Sequence, residues 1–250
     1  MEMSKLVKRL RQVCECSSHS IGFKRSIVES NRQMLLIASL PQGKRGMVAS
    51  LNLAEVDALL FHSMDMGGSE ALEQIWGGVE DTPWGVWLGT GEPPDLKQFM
   101  EVGGDFIAME SATAPAELLR EDMGKILKVD LSRERFLLSA MSDLPVDAVL
   151  MDLGGEKGDL TVADLMHCHW LSSLLDKPLL VAANRELSDK EIWLIWDVGV
   201  SGIVIEIGDE SGAEVLSRQF QAISDLPPRT RKRGEDHVLL PSFDIESDED

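Results

Sequence analysis

The chain has 250 residues, an apolar share of 44% and a formal net charge of −19. That charge excludes a general affinity for nucleic acid or for an anionic membrane, because phosphate-rich surfaces need a cationic partner. The three cysteines, Cys14, Cys16 and Cys168, and a start without an apolar signal core imply a reducing cytoplasm. No apolar run is long enough to span a bilayer.

Leu6, Val7, Leu10 and Val13 recur at helical spacing among Lys5, Lys8, Arg9 and Arg11. They predict an amphipathic helix that covers the bottom of a larger fold, within an N-terminal segment over residues 1–32. Residues 34–39 read as a first strand, 41–46 as a loop and 47–56 as a short helix. A second strand over 57–62 precedes a helix opened by Gly67 and Gly68. The third strand is 84–89, with a helix over 95–102, and the fourth is 105–110. Pro115 suits the first turn of a helix over 114–120, where its missing N–H costs little. The fifth strand is 125–130, and Ser132 caps the helix that follows. The sixth strand is 147–152, with a long helix over 161–175. The seventh is 178–184; Ser188 and Glu191 then form a capping box for a helix reaching Gly199. The eighth strand, 201–206, leads to a last helix over 211–223. Residues 226–250 run from Pro227-Pro228 through a basic stretch to an acidic end. Their polarity predicts a disordered tail.

Four of these strands are copies of one pattern, an apolar run between a polar start and a polar or ionisable end. They read Asp57-Ala-Leu-Leu-Phe-His62, Asp105-Phe-Ile-Ala-Met-Glu110, Asp147-Ala-Val-Leu-Met-Asp152 and Ser201-Gly-Ile-Val-Ile-Glu206. Alternate residues of a strand point to opposite faces. One face collects Leu59, Phe61, Ile107, Met109, Val149, Met151, Ile203 and Ile205, which suits packing on helices. The other collects small and apolar residues and ends on His62, Glu110, Asp152 and Glu206. Eight strands, each followed by a helix, argue for a parallel sheet. The pattern resembles the (β/α)8, or TIM-barrel, fold over residues 33–225, and its motifs match no specific family. The four titratable ends then converge as one layer at the mouth where such barrels place their active sites.

The fifth strand adds Lys128 and Asp130 to the interior, Trp87 adds a ring from the third, and Asn184 and Arg185 end the seventh. Several carboxylates, a lysine and a histidine in one interior must pair, protonate or bind a cation. This composition points to an enzyme acting on a small oxygenated metabolite, an aldolase-like lyase or an isomerase. Glu110, Asp152 and Glu206, with Asp130 as a further donor, would hold a divalent metal: Mg²⁺ or Mn²⁺, or Zn²⁺ if His62 joins. Lys128, His62 and Asp130 would move protons. A Schiff base on Lys128 is an alternative, opposed by carboxylates that stabilise the ammonium. Glycoside hydrolysis is disfavoured by the absence of tyrosine and an aromatic share of 5%.

A chemically silent interior would pair Lys128 with Asp130 and Glu110, and His62 with Asp152. The rival function is a non-catalytic barrel serving as a subunit or scaffold. The helix bearing Trp193 and Trp196 would then face the sheet or another subunit, which allows a homo-oligomer. The loops where this fold holds phosphate contain Asp209 and Glu210 and speak against a standard phosphate grip, with Lys44, Arg45 and Arg185 as remaining anion contacts. His167 and His169 are two apart on a helix and point away from each other, so they do not share a metal.

Overall fold

The structure is a computed structural model and describes residues 3–16, 32–41, 45–62, 81–89, 96–131, 138–154, 159–209 and 211–229. Eight strands run in order as β1 Leu35–Leu40, β2 Ala58–Phe61, β3 Trp84–Leu88, β4 Phe106–Glu110, β5 Gly124–Lys128, β6 Ala148–Asp152, β7 Leu179–Ala183 and β8 Gly202–Glu206. They close into a barrel in chain order, all parallel, with β1 pairing β8. The described helices are α1 Lys5–Cys16, α2 Leu96–Glu101, α3 Leu138–Met141, α4 Val162–Leu174, α5 Asp189–Asp197 and α6 Gly212–Ser224. The chain folds as the TIM barrel that its alternating pattern predicts. Among the described residues no helix is long and apolar enough to cross a membrane.

The two faces separate as strand parity requires. Leu59, Phe61, Ile107, Met109, Val149, Met151, Ile203 and Ile205 join a large apolar cluster between sheet and helices. Ala58, Leu60, Phe106, Ala108, Ala148, Leu150 and Val204 join Leu35, Ile37, Ile126 and Leu180 in a second cluster. That second cluster is the barrel interior, and it includes Leu6, Leu10 and Val13 of α1. The N-terminal helix therefore closes the bottom with its apolar stripe. Its first turn is tied down by Asp105, whose carboxylate accepts from Ser4 Oγ at 2.7 Å and from the N–H groups of Lys5 at 2.6 Å and Leu6 at 2.9 Å. These are N–H groups that a helix start leaves without an intrahelical partner.

Phe106 is fully buried near that end, and glycine neighbours make room for it. A Cβ on Gly85 would lie 2.4 Å from the Phe106 ring and 2.5 Å from its carbonyl oxygen. Higher on the axis the interior narrows to Leu60, Ala108, Leu150 and Val204, which form an apolar layer beneath the mouth.

Several elements differ from the sequence pattern. The helices expected over 47–56 and 114–120 are short 3-10 turns, Arg45–Ser50, Leu53–Glu55 and Pro115–Leu119. In the second case a turn closed by Thr113 N–H on the Glu110 carbonyl, at 3.0 Å, uses up part of an already short crossover. Strand β5 begins at Gly124, whose N–H joins the ladder through the Asp105 carbonyl, and ends at Lys128 instead of Asp130. The expected cap of Ser188 with Glu191 forms fully at α5, and the structure adds a second capping box, Thr161 with Asp164, at α4. Helix α5 stops at Asp197, ahead of Gly199 with its positive φ of 108°. The helices expected after Gly67 and from Ser132 begin outside the described residues, as does most of the expected tail. Residues 226–229, placed with the tail by composition, lie on the barrel: Leu226 is buried and Arg229 bonds the Trp196 and Val200 carbonyls.

Candidate functional site

The C-terminal strand ends surround a cavity of about 490 Å³, within the size range of small-molecule sites. Leu60, Leu150 and Val204 make its apolar floor, one rung below the polar rim. His62, Glu110, Lys128, Asp152 and Glu206 all line it, with Ser39, Trp87 and Asn184 between them. The even-numbered strands carry His62, Glu110, Asp152 and Glu206 at one level, so the common parity of the four copies puts them on one rim.

Lys128 and Asp152 form an ion pair at 2.8 Å. Lys128 stands opposite Leu150 in the β5–β6 register, so its long side chain reaches up to the next inward residue, Asp152. The lysine is 27% exposed and the aspartate 59%. A pair this open contributes about 0–1 kcal/mol to stability. Its significance lies in what it presents to a ligand. The ammonium also sits 5.2 Å from the centroid of the Trp87 ring. The His62 ring stacks on that indole at 5.7 Å with an interplanar angle of 17°.

His62 Nε2 and Ser39 Oγ are 2.7 Å apart. Ser39 is only 2% exposed, so the hydroxyl is a fixed partner that orients the ring. Burial pushes the imidazole below its ordinary value; the Glu206 carboxylate opposes this and the Lys128 ammonium adds to it. His62 is therefore neutral at pH 7, with a nitrogen lone pair available to take a proton.

Glu110 and Glu206 have no hydrogen-bond or ion-pair partner for their carboxylates among the described residues. Glu110 is the register partner of Lys128, yet the lysine turns to Asp152. Asp130 is exposed and does not line the cavity, because β5 ends two residues before it. Its expected place as an acid/base group or metal donor in the interior is thereby corrected. The silent ion network expected as an alternative is also absent in its stated form, since Lys128 pairs with Asp152 and His62 with Ser39.

Glu110, Asp152 and Glu206 share the cavity without gathering into a metal site. Among the described residues no three His, Cys, Asp or Glu side chains are placed to hold an ion. They come from alternate strands, whose axes lie roughly 9–10 Å apart across the intervening strand. The short Asp152 is engaged by Lys128. By themselves, the described donors do not gather into a metal site.

After β7 and β8, the chain's own carboxylates accept from the serines that precede the next helices. At α6, Asp209 Oδ1 accepts from the Ser211 N–H at 2.9 Å and from its hydroxyl at 2.5 Å. At α5, Glu191 accepts from the Ser188 N–H at 2.9 Å and holds Arg185 at 2.5 Å. That contact keeps the Glu191 carboxyl down to about 2. Arg185 is thus engaged on the protein, while the Lys44 and Arg45 side chains lie outside the described residues. His167 and His169 are exposed on either side of buried Cys168, as their spacing requires.

The role of Ser39 escapes the repeat pattern, because β1 is not one of the four copies. Strand alternation through Leu35, Ile37 and Ser39 carries the signal: a polar residue at the last inward position of an apolar strand.

No family model matches the chain, and no curated protein sequence matches it. Solved structures do resemble it. Orotidine 5'-phosphate decarboxylase from Pyrococcus horikoshii OT3 is 10% identical with a TM-score of 0.56, over 76% of this chain and 100% of that one. KGPDC from Streptococcus mutans is 13% identical with a TM-score of 0.55, over 76% and 98%. A tryptophan synthase α-subunit mutant from Pyrococcus furiosus is 12% identical with a TM-score of 0.57, over 77% and 98%. At these identities the likeness is one of fold, and the fold is the (β/α)8 barrel.

Proposed function

We propose that the mouth catalyses proton transfer beside a carbonyl group of a small metabolite, as an isomerase or an aldolase-like lyase. The observation that carries this reading is the Lys128–Asp152 pair, 2.8 Å apart, in one cavity with a neutral, serine-oriented His62. The ion pair with Asp152 favours Lys128 as a hydrogen-bond donor over a Schiff-base nucleophile. The ammonium donates to the substrate carbonyl oxygen. His62 takes the proton from the adjacent carbon, and the C–H electron pair moves to the oxygen as an enolate stabilised by Lys128. In an isomerase of an α-hydroxy carbonyl compound, the hydroxyl proton passes to the enolate oxygen and His62 returns the carbon-bound proton to the former carbonyl carbon, which leaves the carbonyl on its neighbour. In a lyase His62 removes a β-hydroxyl proton, the C–C bond breaks, and the enolate left behind is reprotonated. The solved barrels that the chain resembles include a decarboxylase and a synthase subunit, which supports catalysis by analogy of fold alone.

The test is loss of α-proton signals from a panel of hydroxyketones and oxo acids in D₂O, followed by proton NMR. Wild type exchanges at least one class, and Lys128→Met and His62→Gln each slow the exchange about 100-fold or more. Equal exchange in all three proteins, or none from any compound, overturns the reading.

One observation favours the second reading, a barrel that serves as a subunit or self-associates. Val162 and Met166 of α4 are 73% and 67% exposed, and Trp193 and Leu194 of α5 are 45% and 37% exposed. Sedimentation velocity of wild type beside Trp193→Glu decides it: a dimer split by the substitution supports an assembly role, and a monomer at all concentrations removes it.

A further inference from the structure

We infer that the compound this mouth receives carries a cationic amine and no phosphate. The inference rests on the carbonyl chemistry above only for where the reacting group sits.

The first argument is charge placement. Among the described residues, the rim holds Glu110, Asp152 and Glu206 against Lys128 alone, and Lys128 is already paired with Asp152. Two carboxylates remain: Glu110, on the strand between those of Trp87 and Lys128, and Glu206, on the strand beyond Ser39 from His62. Glu110 stands beside Lys128 in the β4–β5 register, and Glu206 beside Ser39 in the β1–β8 register. Neither carboxylate has a partner among the described residues. Glu110 is half-buried, so its charge gains from a cation that replaces lost water. A phosphate dianion at this rim meets two carboxylates that no described residue neutralises, whereas an ammonium meets two acceptors.

The second argument is independent of the rim. Phosphorylated substrates in this fold are gripped by the loops after strands seven and eight and by a helix N-terminus. Here Asp209 occupies the N–H and hydroxyl of Ser211 ahead of α6. Glu191 occupies those of Ser188 ahead of α5 and also holds Arg185. The chain's own carboxylates take these cap donors, which disfavours a phosphate at either helix start.

The third is the Trp87 indole, partly buried at the rim. It already accepts one ammonium, that of Lys128, within 5.2 Å of its centroid. An aromatic face beside carboxylates favours a second cation over an anion.

The experiment compares carbonyl probes of similar size and different charge: aminoacetone, hydroxyacetone and dihydroxyacetone phosphate. Binding is read by saturation-transfer NMR at low salt, which requires no turnover; α-proton exchange is followed on the same samples. Aminoacetone is expected to bind about tenfold or more tighter than hydroxyacetone, with dihydroxyacetone phosphate weakest. Glu110→Gln with Glu206→Gln is expected to abolish the preference while thermal unfolding stays close to wild type. Tightest binding by the phosphate ester overturns the inference. So does a failure of aminoacetone to exceed hydroxyacetone, or a preference that survives both substitutions. Charge-selective binding without proton exchange leaves this inference standing and removes the proposed reaction. Exchange without charge selectivity does the reverse.

Discussion

The same four strands begin and end on polar groups, and the two ends of the barrel use them differently. At the bottom every one of them is bonded. Asp57 accepts from the Leu36 N–H at 2.8 Å and pairs with Arg32, Asp147 accepts from the Lys125 N–H at 2.9 Å, and Ser201 contacts Cys14 at 3.6 Å. Asp105 holds the first turn of α1. At the mouth, among the described residues, Glu110 and Glu206 leave their carboxylates without a hydrogen-bond or ion-pair partner, while Asp152 and His62 are engaged. The cause is cover. Helix α1 seals the bottom, so a polar group there must be satisfied by protein or cost folding energy. The mouth stays open to water, so a charge there survives without a partner and remains available to a ligand. Polar groups at the bottom hold the fold together, whereas those at the mouth are placed to act on something else.

The sharpest way to break this comparison is to separate activity from stability. Lys128→Met should cost about 100- to 1000-fold in α-proton exchange, yet shift unfolding by less than about 1 kcal/mol. Urea denaturation beside the exchange assay reads both, and a large stability loss would make Lys128 structural. Asp105→Ala should do the opposite. It removes the acceptor for a hydroxyl and two N–H groups, and should cost about 2–4 kcal/mol in denaturant unfolding. Folded Asp105→Ala protein should keep its probe binding.

Gly85→Ala tests how tightly the bottom is packed. The added methyl meets both the Phe106 ring and backbone, so a loss of about 1–3 kcal/mol is expected, and an unchanged melting temperature would contradict the packing.

The smallest effect is pH dependence from His62. Its folded-state pKa lies below the unfolded value near 6.5, so the unfolded chain binds more protons in that window. Stability should therefore be full above about pH 6.5 and fall as pH drops toward the folded pKa. His62→Gln should flatten that part of the profile. Imidazole resonances followed by NMR should titrate below the ordinary midpoint; a midpoint above it would reverse the sign.

Much of this was legible in the sequence, because strand parity is a local property. Each residue's side is set by its neighbours in the pleat, so the repeat alone assigned Leu59 and Ile107 to the helices. By the same alternation it brought His62, Glu110, Asp152 and Glu206 to one level. The cap at Ser188 is likewise local, made within one turn of chain. Partnerships across strands were not legible. The choice of Asp152 over Glu110 by Lys128 depends on the register of β5 against β6. The bond from His62 to Ser39 depends on β1 lying beside β2, with both in the closed ring. Asp130 kept the right parity but lost its place when the ladder ended at Lys128, and hydrogen bonding to the next strand sets that end. Spacing across the rim was not legible either: alternation brought Glu110, Asp152 and Glu206 to one rim, but their mutual distances depend on the closed barrel.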